Sequence, residues 1–258
     1  MTSWYDHPQY FDMGFREETP MEVAFFEQAF ARFADGPVKS LLEPGCGTGR
    51  LVVAMSQLGY NVTGLDLSEP MLGYLRKQLR RKSLEAGVVQ GDMTDMRLGR
   101  QFDAAFCTFN TFRHLMTEQA SVRHLRDVAE HVRPGGLYIL GFHCLPWDAD
   151  PESTERWTAT AGGTRISVTF KVIDFDADAR TESIRVSIKA TKRSGKIERV
   201  RSEFPLRTYS PQQAKALLRK VSDVFEIAEV YNFAYDIEEP EPFDKDSADV
   251  LFILKRTG

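Results

Sequence analysis

The sequence predicts an α/β fold: a doubly wound, mainly parallel sheet carrying an antiparallel β-meander insertion. Three features point to it. Short apolar runs alternate with amphipathic ones from residue 38 to 143. A glycine-dense turn, "EPGCGTGR" (43–50), joins the first apolar run to a helix-prone stretch. Beyond residue 143 the hydrophobic period drops to two, the spacing of a half-exposed strand. A chain of 258 residues has room for one large domain with such an insertion.

The first 18 residues are aromatic and irregular, with Trp4, Tyr5, Tyr10, Phe11 and Phe15, and suit either a packing arm or a lid. "TPME" (19–22) is a capping box with proline at the first helical position. Val23, Phe26, Phe30 and Phe33 follow at helical spacing, so residues 20–34 should form a helix laid on the sheet. "VKSLLE" (38–43), "YNVTGLDL" (60–67), "AGVVQGD" (86–92), "FDAAFCTF" (102–109) and "GLYILGFH" (136–143) read as strands buried on both faces.

The helices between them have readable ends. Ser68 caps one ahead of Glu69 and Pro70, while Arg76, Lys77, Arg80, Arg81 and Lys82 load its far end, in the order the helix dipole favours. Another starts near Thr117, buries Val122, Leu125, Val128, Ala129 and Val132, and stops at "RPGG" (133–136). After residue 143, "RISVTFKVIDF", "SIRVSIKA" and a weaker "GKIERVRSEFPLRTY" alternate as antiparallel strands, turned by "DADAR" and "RSGK". Ser210 then caps a helix in "SPQQAKALLRKV", and "FEIAEVYNF" (225–233) and "DVLFILKR" (249–256) close the chain as an antiparallel pair. The expected divisions are an arm and helix (1–36), an α/β core (37–147), a β-rich insertion (148–209) and a C-terminal helix and strand pair completing the core (210–258).

Composition narrows the function. The formal net charge of −4 shows no basic excess, so a nucleic-acid partner is not expected. No apolar run approaches the ~18 residues that span a bilayer, and the N-terminus has neither the basic start nor the apolar stretch of a signal peptide. Cys46, Cys107 and Cys144 are odd in number and lack metal-ligand spacing. A cytoplasmic protein without a metal is expected.

A dinucleotide-binding turn reads G-x-G-x-x-G, and its third glycine would fall on Arg50, which does not serve. The spacing present is acid-x-Gly-x-Gly-x-Gly, from Glu43 through Gly45, Gly47 and Gly49. Here the sequence resembles the class I S-adenosylmethionine-dependent methyltransferases, over residues 38–143 and the terminal strand pair. The resemblance implies a Rossmann-like seven-stranded sheet with its last strand antiparallel, and S-adenosylmethionine as cofactor. It implies that a side chain at Gly45 or Gly47 would fill ligand space and that Glu43 accepts from the ligand's ammonium. Asp66, ending the second strand, would take the ribose hydroxyls, and Ser68 already serves as the helix cap there. Asp92 in "GDMTDM" would read the adenine amino group, with Met93 against the ring and Asp95 a rival acid. Leu67 and Thr108 complete the cofactor set.

The fourth strand ends in "CTFNTFRHL" (107–115), over the transferring methyl in this fold. Enzymes that methylate nucleobase amino groups commonly carry an Asn/Asp/Ser-Pro-Pro-aromatic motif at this point; Cys107–Asn110 has no proline. Asn110, Arg113 and His114 are candidates for contact with a small-molecule acceptor. His114 has the right chemistry for a base, or is a histidine bonded to a loop carbonyl. His143 lies at the same sheet edge; His124 and His131 should face solvent.

Amino-sugar N-methyltransferases are similar in pairing a tyrosine-bearing arm with a β-rich insertion. Tyr10 matches that tyrosine, with Tyr5 a competitor and a plain aromatic anchor the alternative. The insertion roofs the acceptor or forms a homodimer contact. Its basic residues (Arg156, Arg165, Lys171, Arg185, Lys189, Arg199, Arg201, Arg207) are a solvated face, or a few steer an anionic acceptor. The expected function is methyl transfer to a nitrogen or oxygen of a small molecule. The rivals are a non-catalytic cofactor-binding module, an NAD-dependent oxidoreductase, and a protein or RNA methyltransferase.

Overall fold

The structure, a computed structural model, describes residues 3–146 and 153–258. The expected junction between core and insertion, at 147/148, lies outside the described residues.

Strands β1 (Ser40–Pro44), β2 (Asn61–Asp66), β3 (Gly87–Gln90), β4 (Phe102–Cys107), β5 (Val132–His143), β10 (Phe225–Tyr231) and β11 (Asp249–Arg256) form one seven-stranded sheet in the order β10-β11-β5-β4-β1-β2-β3. Only β11 opposes its neighbours, pairing antiparallel with both β5 and β10. Strand β1 lies between β2 and β4, so Leu41 faces Val62 on one side and Ala104 on the other. The order reverses there, and the carboxyl ends of β1, β2 and β4 open a crevice at that switch point.

Alternation along the strands feeds two cores. Ala104, Phe106, Leu137 and Ile139 point to one face, where Phe26, Leu51 and Leu75 come from α2 (Thr19–Phe33), α3 (Arg50–Gln57) and α4 (Glu69–Lys82). Phe102, Cys107, Tyr138 and Leu140 point to the other, under α5 (Glu118–His131) and α6 (Pro211–Arg219). The caps form as expected: Ser68 accepts from the Met71 amide at 3.4 Å, Thr117 from Ala120 at 3.1 Å, and Ser210 and Gln213 make a reciprocal box. Helix α5 stops at His131, and Arg133–Gly136 become a bulge within β5, whose pairing jumps from Val132 to Leu137.

A second sheet, ordered β6-β7-β8-β9, holds β6 (Thr154–Ala161), β7 (Thr164–Asp176), β8 (Thr181–Lys192) and β9 (Ile197–Arg207). Three of these strands match the expected meander. The fourth, β6, goes unseen in sequence because "TERWTATA" is an edge strand whose residues are exposed or half-buried. The inner face of this sheet packs Ile166, Val168, Ile184 and Val186 against Trp4, Tyr10 and Met13 of the N-terminal arm.

Three expectations need correction. The arm is helical, with a 3-10 turn over Trp4–Asp6, capped by Ser3, α1 over Pro8–Phe15 and a second 3-10 turn over Arg16–Glu18; dense aromatics had hidden the helical period. "TPME" starts α2 without a side-chain cap, because Glu22 is fully buried and pairs with Arg50 instead of reaching back. His124 and His131 are buried, not solvent-facing. His124 bonds the Met93 carbonyl at 2.8 Å and the Tyr138 hydroxyl at 2.7 Å, while His131 bonds the Asp127 carbonyl at 2.8 Å. Polar partners on neighbouring segments, and for His131 also on α5 itself, let these imidazoles sit on the apolar face of α5.

Candidate active site

At the switch point a cavity of roughly 890 Å³ opens between the glycine loop, the arm and the inner face of the second sheet. Its floor is the loop after β1. Gly47 has φ +52°, and a Cβ built there would point into the opening, its nearest neighbour being Phe11 at 3.8 Å. A Cβ at Gly45 would strike Thr111 Cγ2 at 2.2 Å, which lets the loop after β4 close down on it. Gly49 plays a different part. It is absent from the cavity wall, and a Cβ there would meet Leu75 Cδ1 at 2.3 Å, so it lets α3 pack on α4.

Asp66 ends β2 with its carboxylate accepting from the Gly47 amide at 2.8 Å and the Ser68 amide at 2.8 Å. Burial pushes its pKa up, and those backbone amides oppose the shift. Glu43, at the end of β1, is 8% exposed, and its Oε2 has no hydrogen-bond partner. Burial lifts its carboxyl to about 8 against the pull of Arg50, with Glu22 and Asp66 adding to the rise. Arg50 itself is clamped by Glu22, bonds Thr19 Oγ1 at 3.2 Å, and lies over the Phe109 ring at 5.4 Å. Glu22 also accepts from Thr108 at 3.1 Å. This buried network, tied to helix α2, had no signal in the sequence beyond an acid misread as a cap.

The loop after β4 turns through two non-glycine residues in the left-handed region, Phe109 (φ 57°) and Asn110 (φ 64°). Asn110 accepts from the His143 amide at 2.9 Å. Arg113 is almost fully buried; its guanidinium donates to the Arg207 carbonyl at 2.8 Å, to Asn110 at 3.3 Å and to Glu182 on β8. His114 opens on the cavity, its Nε2 lying 3.0 Å from the Tyr5 hydroxyl. Enclosure by the surrounding protein, and then Arg113, bring His114 down to about 4; burial pushes the Tyr5 phenol up to about 12. His143 pairs through Nδ1 with Asp249 at the cavity edge.

Of the sequence-derived candidates, Glu43, Gly45, Gly47, Asp66, Leu67, Met93, Thr108, Asn110, Arg113, His114 and His143 line the cavity together. Tyr10, Asp92 and Gly49 do not. The Tyr10 side chain turns toward the second sheet, its hydroxyl donating to Glu198 at 2.5 Å, and the arm's cavity-facing tyrosine is Tyr5. The Asp92 carboxylate folds back on its own turn, accepting from the Thr94 amide at 2.8 Å and hydroxyl at 2.9 Å. Sequence also missed Trp157, Phe170 and Phe204, which join Trp4 and Phe15 of the arm in one cavity wall only through tertiary packing.

Comparison with known proteins agrees with this geometry. Residues 41–136 match the family described as methyltransferase domain. The chain is similar to a cypemycin N-terminal methyltransferase of a Streptomyces species, 28% identical over 84% of this chain and 83% of that protein. It is 34% identical to dTDP-3-amino-3,4,6-trideoxy-alpha-D-glucopyranose N,N-dimethyltransferase of Streptomyces venezuelae, over 46% of this chain and 47% of that protein, about half the relative's length. Among solved structures, an S-adenosylmethionine-dependent methyltransferase from Clostridium acetobutylicum shares the fold with a TM-score of 0.78, at 17% identity and 97% coverage of both chains.

Proposed function

We propose that this chain is a class I S-adenosylmethionine-dependent methyltransferase that methylates a nitrogen or oxygen of a small-molecule acceptor, releasing S-adenosylhomocysteine. The observation that carries this reading is the unpartnered Oε2 of Glu43, buried beside a loop whose Gly47 leaves open space above it. A buried carboxyl oxygen without a partner is costly, and a ligand ammonium supplies the missing donor.

The residues present fit the cofactor. Glu43 would hold its ammonium, the Gly45–Gly47 backbone would pass beside its amino-acid tail, and Asp66 retains acceptor capacity for the ribose hydroxyls. S-adenosylmethionine, when bound, supplies an activated methyl on a sulfonium. The protein's task is then to position the acceptor, exclude water and accept a proton. In this reading residues 1–36 and 148–209 enclose the acceptor, while 37–147 and 210–258 hold the cofactor. His114 receives the acceptor's proton, being neutral and open to the cavity, and Tyr5 replaces Tyr10 as the tyrosine that orients it. The edge strand β6 is the surface through which a homodimer would form. Three free, buried cysteines suit a reducing compartment.

Calorimetric titration with S-adenosylhomocysteine, S-adenosylmethionine and NAD tests the reading. The first two should bind, and Asp66→Ala should weaken them by about 1–3 kcal/mol. Binding of NAD alone would overturn it in favour of hydride transfer.

A further inference from the structure

Resting on the methyltransferase reading, we propose that the acceptor is an amine on an apolar or aromatic body and carries no phosphate. The cavity side facing the arm and second sheet offers ring faces and carboxylates, with no unpaired guanidinium or ammonium among the described residues.

Two arginines line the cavity, and both are spent. Arg50 is held by Glu22. Arg113 is held by Glu182 and also donates to the Arg207 carbonyl through Nε and to Asn110 through Nη1. A phosphate or diphosphate entering here would be desolvated without a charged donor, the costliest kind of burial.

Seven basic residues of the second sheet do not help, because alternation puts them on its other face, while Arg207 donates to the Met116 carbonyl and Lys192 pairs with Glu198, both away from the cavity wall. Lys171 faces Arg185 across β7 and β8, Lys189 faces Arg199 across β8 and β9, and Arg156, Arg165 and Arg201 share that outer side. One residue out of phase, Glu155 pairs with Phe170 and Glu182 with Leu206, and all four line the cavity. The strand period therefore separates seven cations from the site and leaves acids and aromatics inside it. Residues 147–152, "WDADPE", bring no lysine or arginine wherever they lie.

Glu155 is exposed to the cavity and makes no ion pair among the described residues. Nearby, Glu18 has a buried Oε2 without a partner. Its carboxyl is pushed up chiefly by burial, with Arg50 pulling the other way and Glu22 and Glu155 adding to the rise. Several carboxylates thus share one guanidinium, and an incoming ammonium would restore the balance. Rings stand ready for the rest of such a molecule: Phe15 lies 5.9 Å from Trp157 and 5.6 Å from Phe109, and Tyr5 lies 5.8 Å from Phe204.

The test is calorimetry on the full chain saturated with S-adenosylhomocysteine, using tryptamine, phenethylamine and thymidine diphosphate as probes. At least one arylalkyl amine should bind saturably and thymidine diphosphate should not. Glu155→Gln should weaken the amine about threefold while leaving S-adenosylhomocysteine affinity unchanged, which shows the fold and cofactor site intact. Saturable binding of thymidine diphosphate, binding of neither amine, or amine binding indifferent to Glu155→Gln overturns the inference. If S-adenosylhomocysteine fails to bind the wild type, the methyltransferase reading falls first and the acceptor class with it.

Discussion

The hydroxyl of Tyr5 lies 3.0 Å from Nε2 of His114, joining the N-terminal arm to the loop after β4 across the mouth of the cavity. With the phenol raised to about 12 and the imidazole lowered to about 4, both groups are neutral around neutral pH. The imidazole is then free to take a proton. His114→Ala should slow turnover by roughly 10²–10⁴-fold, the usual range for a general base, and spare S-adenosylhomocysteine binding. Tyr10→Phe should change neither quantity, because Tyr10 does not line the cavity. Turnover indifferent to His114→Ala would remove the histidine from the mechanism.

Glu43 gives a proton-release signature. Its carboxyl stands at about 8 without a ligand, so it is mostly protonated at neutral pH. An ammonium favours the carboxylate and must drive that proton off on binding. Titrations with S-adenosylmethionine in buffers of different ionisation enthalpy should show release approaching one proton at neutral pH, falling toward zero well above 8. Glu43→Gln should abolish the release and weaken binding. Buffer-independent heats in the wild type would exclude this role.

The last two glycines of the turn should fail in different ways. Gly47→Val places its side chain in open cavity, so the protein should fold, less stably by the ~1–2 kcal/mol of a left-handed residue, and lose the ligand. Gly49→Ala drives a methyl into Leu75 as well and should lower the melting temperature sharply. Adding Leu75→Ala should return part of that loss by removing the clash. Equal melting temperatures for the two single variants would contradict this division.

His124 should make the fold acid-sensitive. Its Nδ1–H donates to the Met93 carbonyl and Nε2 accepts from Tyr138, an arrangement that requires the neutral ring. Burial lowers it from 6.5 to about 4, although its Met93 partner opposes the shift. Between those values the unfolded chain binds more protons than the folded one, so stability is full above about 6.5 and drains as pH falls toward 4. The loss is limited to roughly 3 kcal/mol. Urea midpoints measured across that interval should fall steeply in the wild type and flatten in His124→Asn.

Much of the cavity's lining was legible because its parts are local to strand ends. Glu43, the glycines and Asp66 sit at fixed offsets from β1 and β2, and parallel pairing of those strands brings them to one edge. Where the reading slipped, local spacing had no bearing on the outcome. Tyr5 and Tyr10 are equivalent in sequence, and the course of the arm decides which faces the cavity. Asp92 stands where a ligand acceptor is expected, yet a Thr94 two residues on satisfies its carboxylate. Glu22 looked like a cap because its partner, Arg50, belongs to another helix.

By itself, then, the sequence determined the sheet, the insertion and the glycine loop, since hydrophobic period and glycine spacing act over a few residues. Only the tertiary structure decided what the acceptor meets. Glu155, Trp157 and Phe204 lie far along the chain from Gly47, and the alternation of their strands marks an apolar face without saying what that face packs against. Packing the arm's Trp4, Tyr10 and Met13 against one side of that sheet made the choice, by burying the apolar face and leaving seven arginines and lysines on the opposite side.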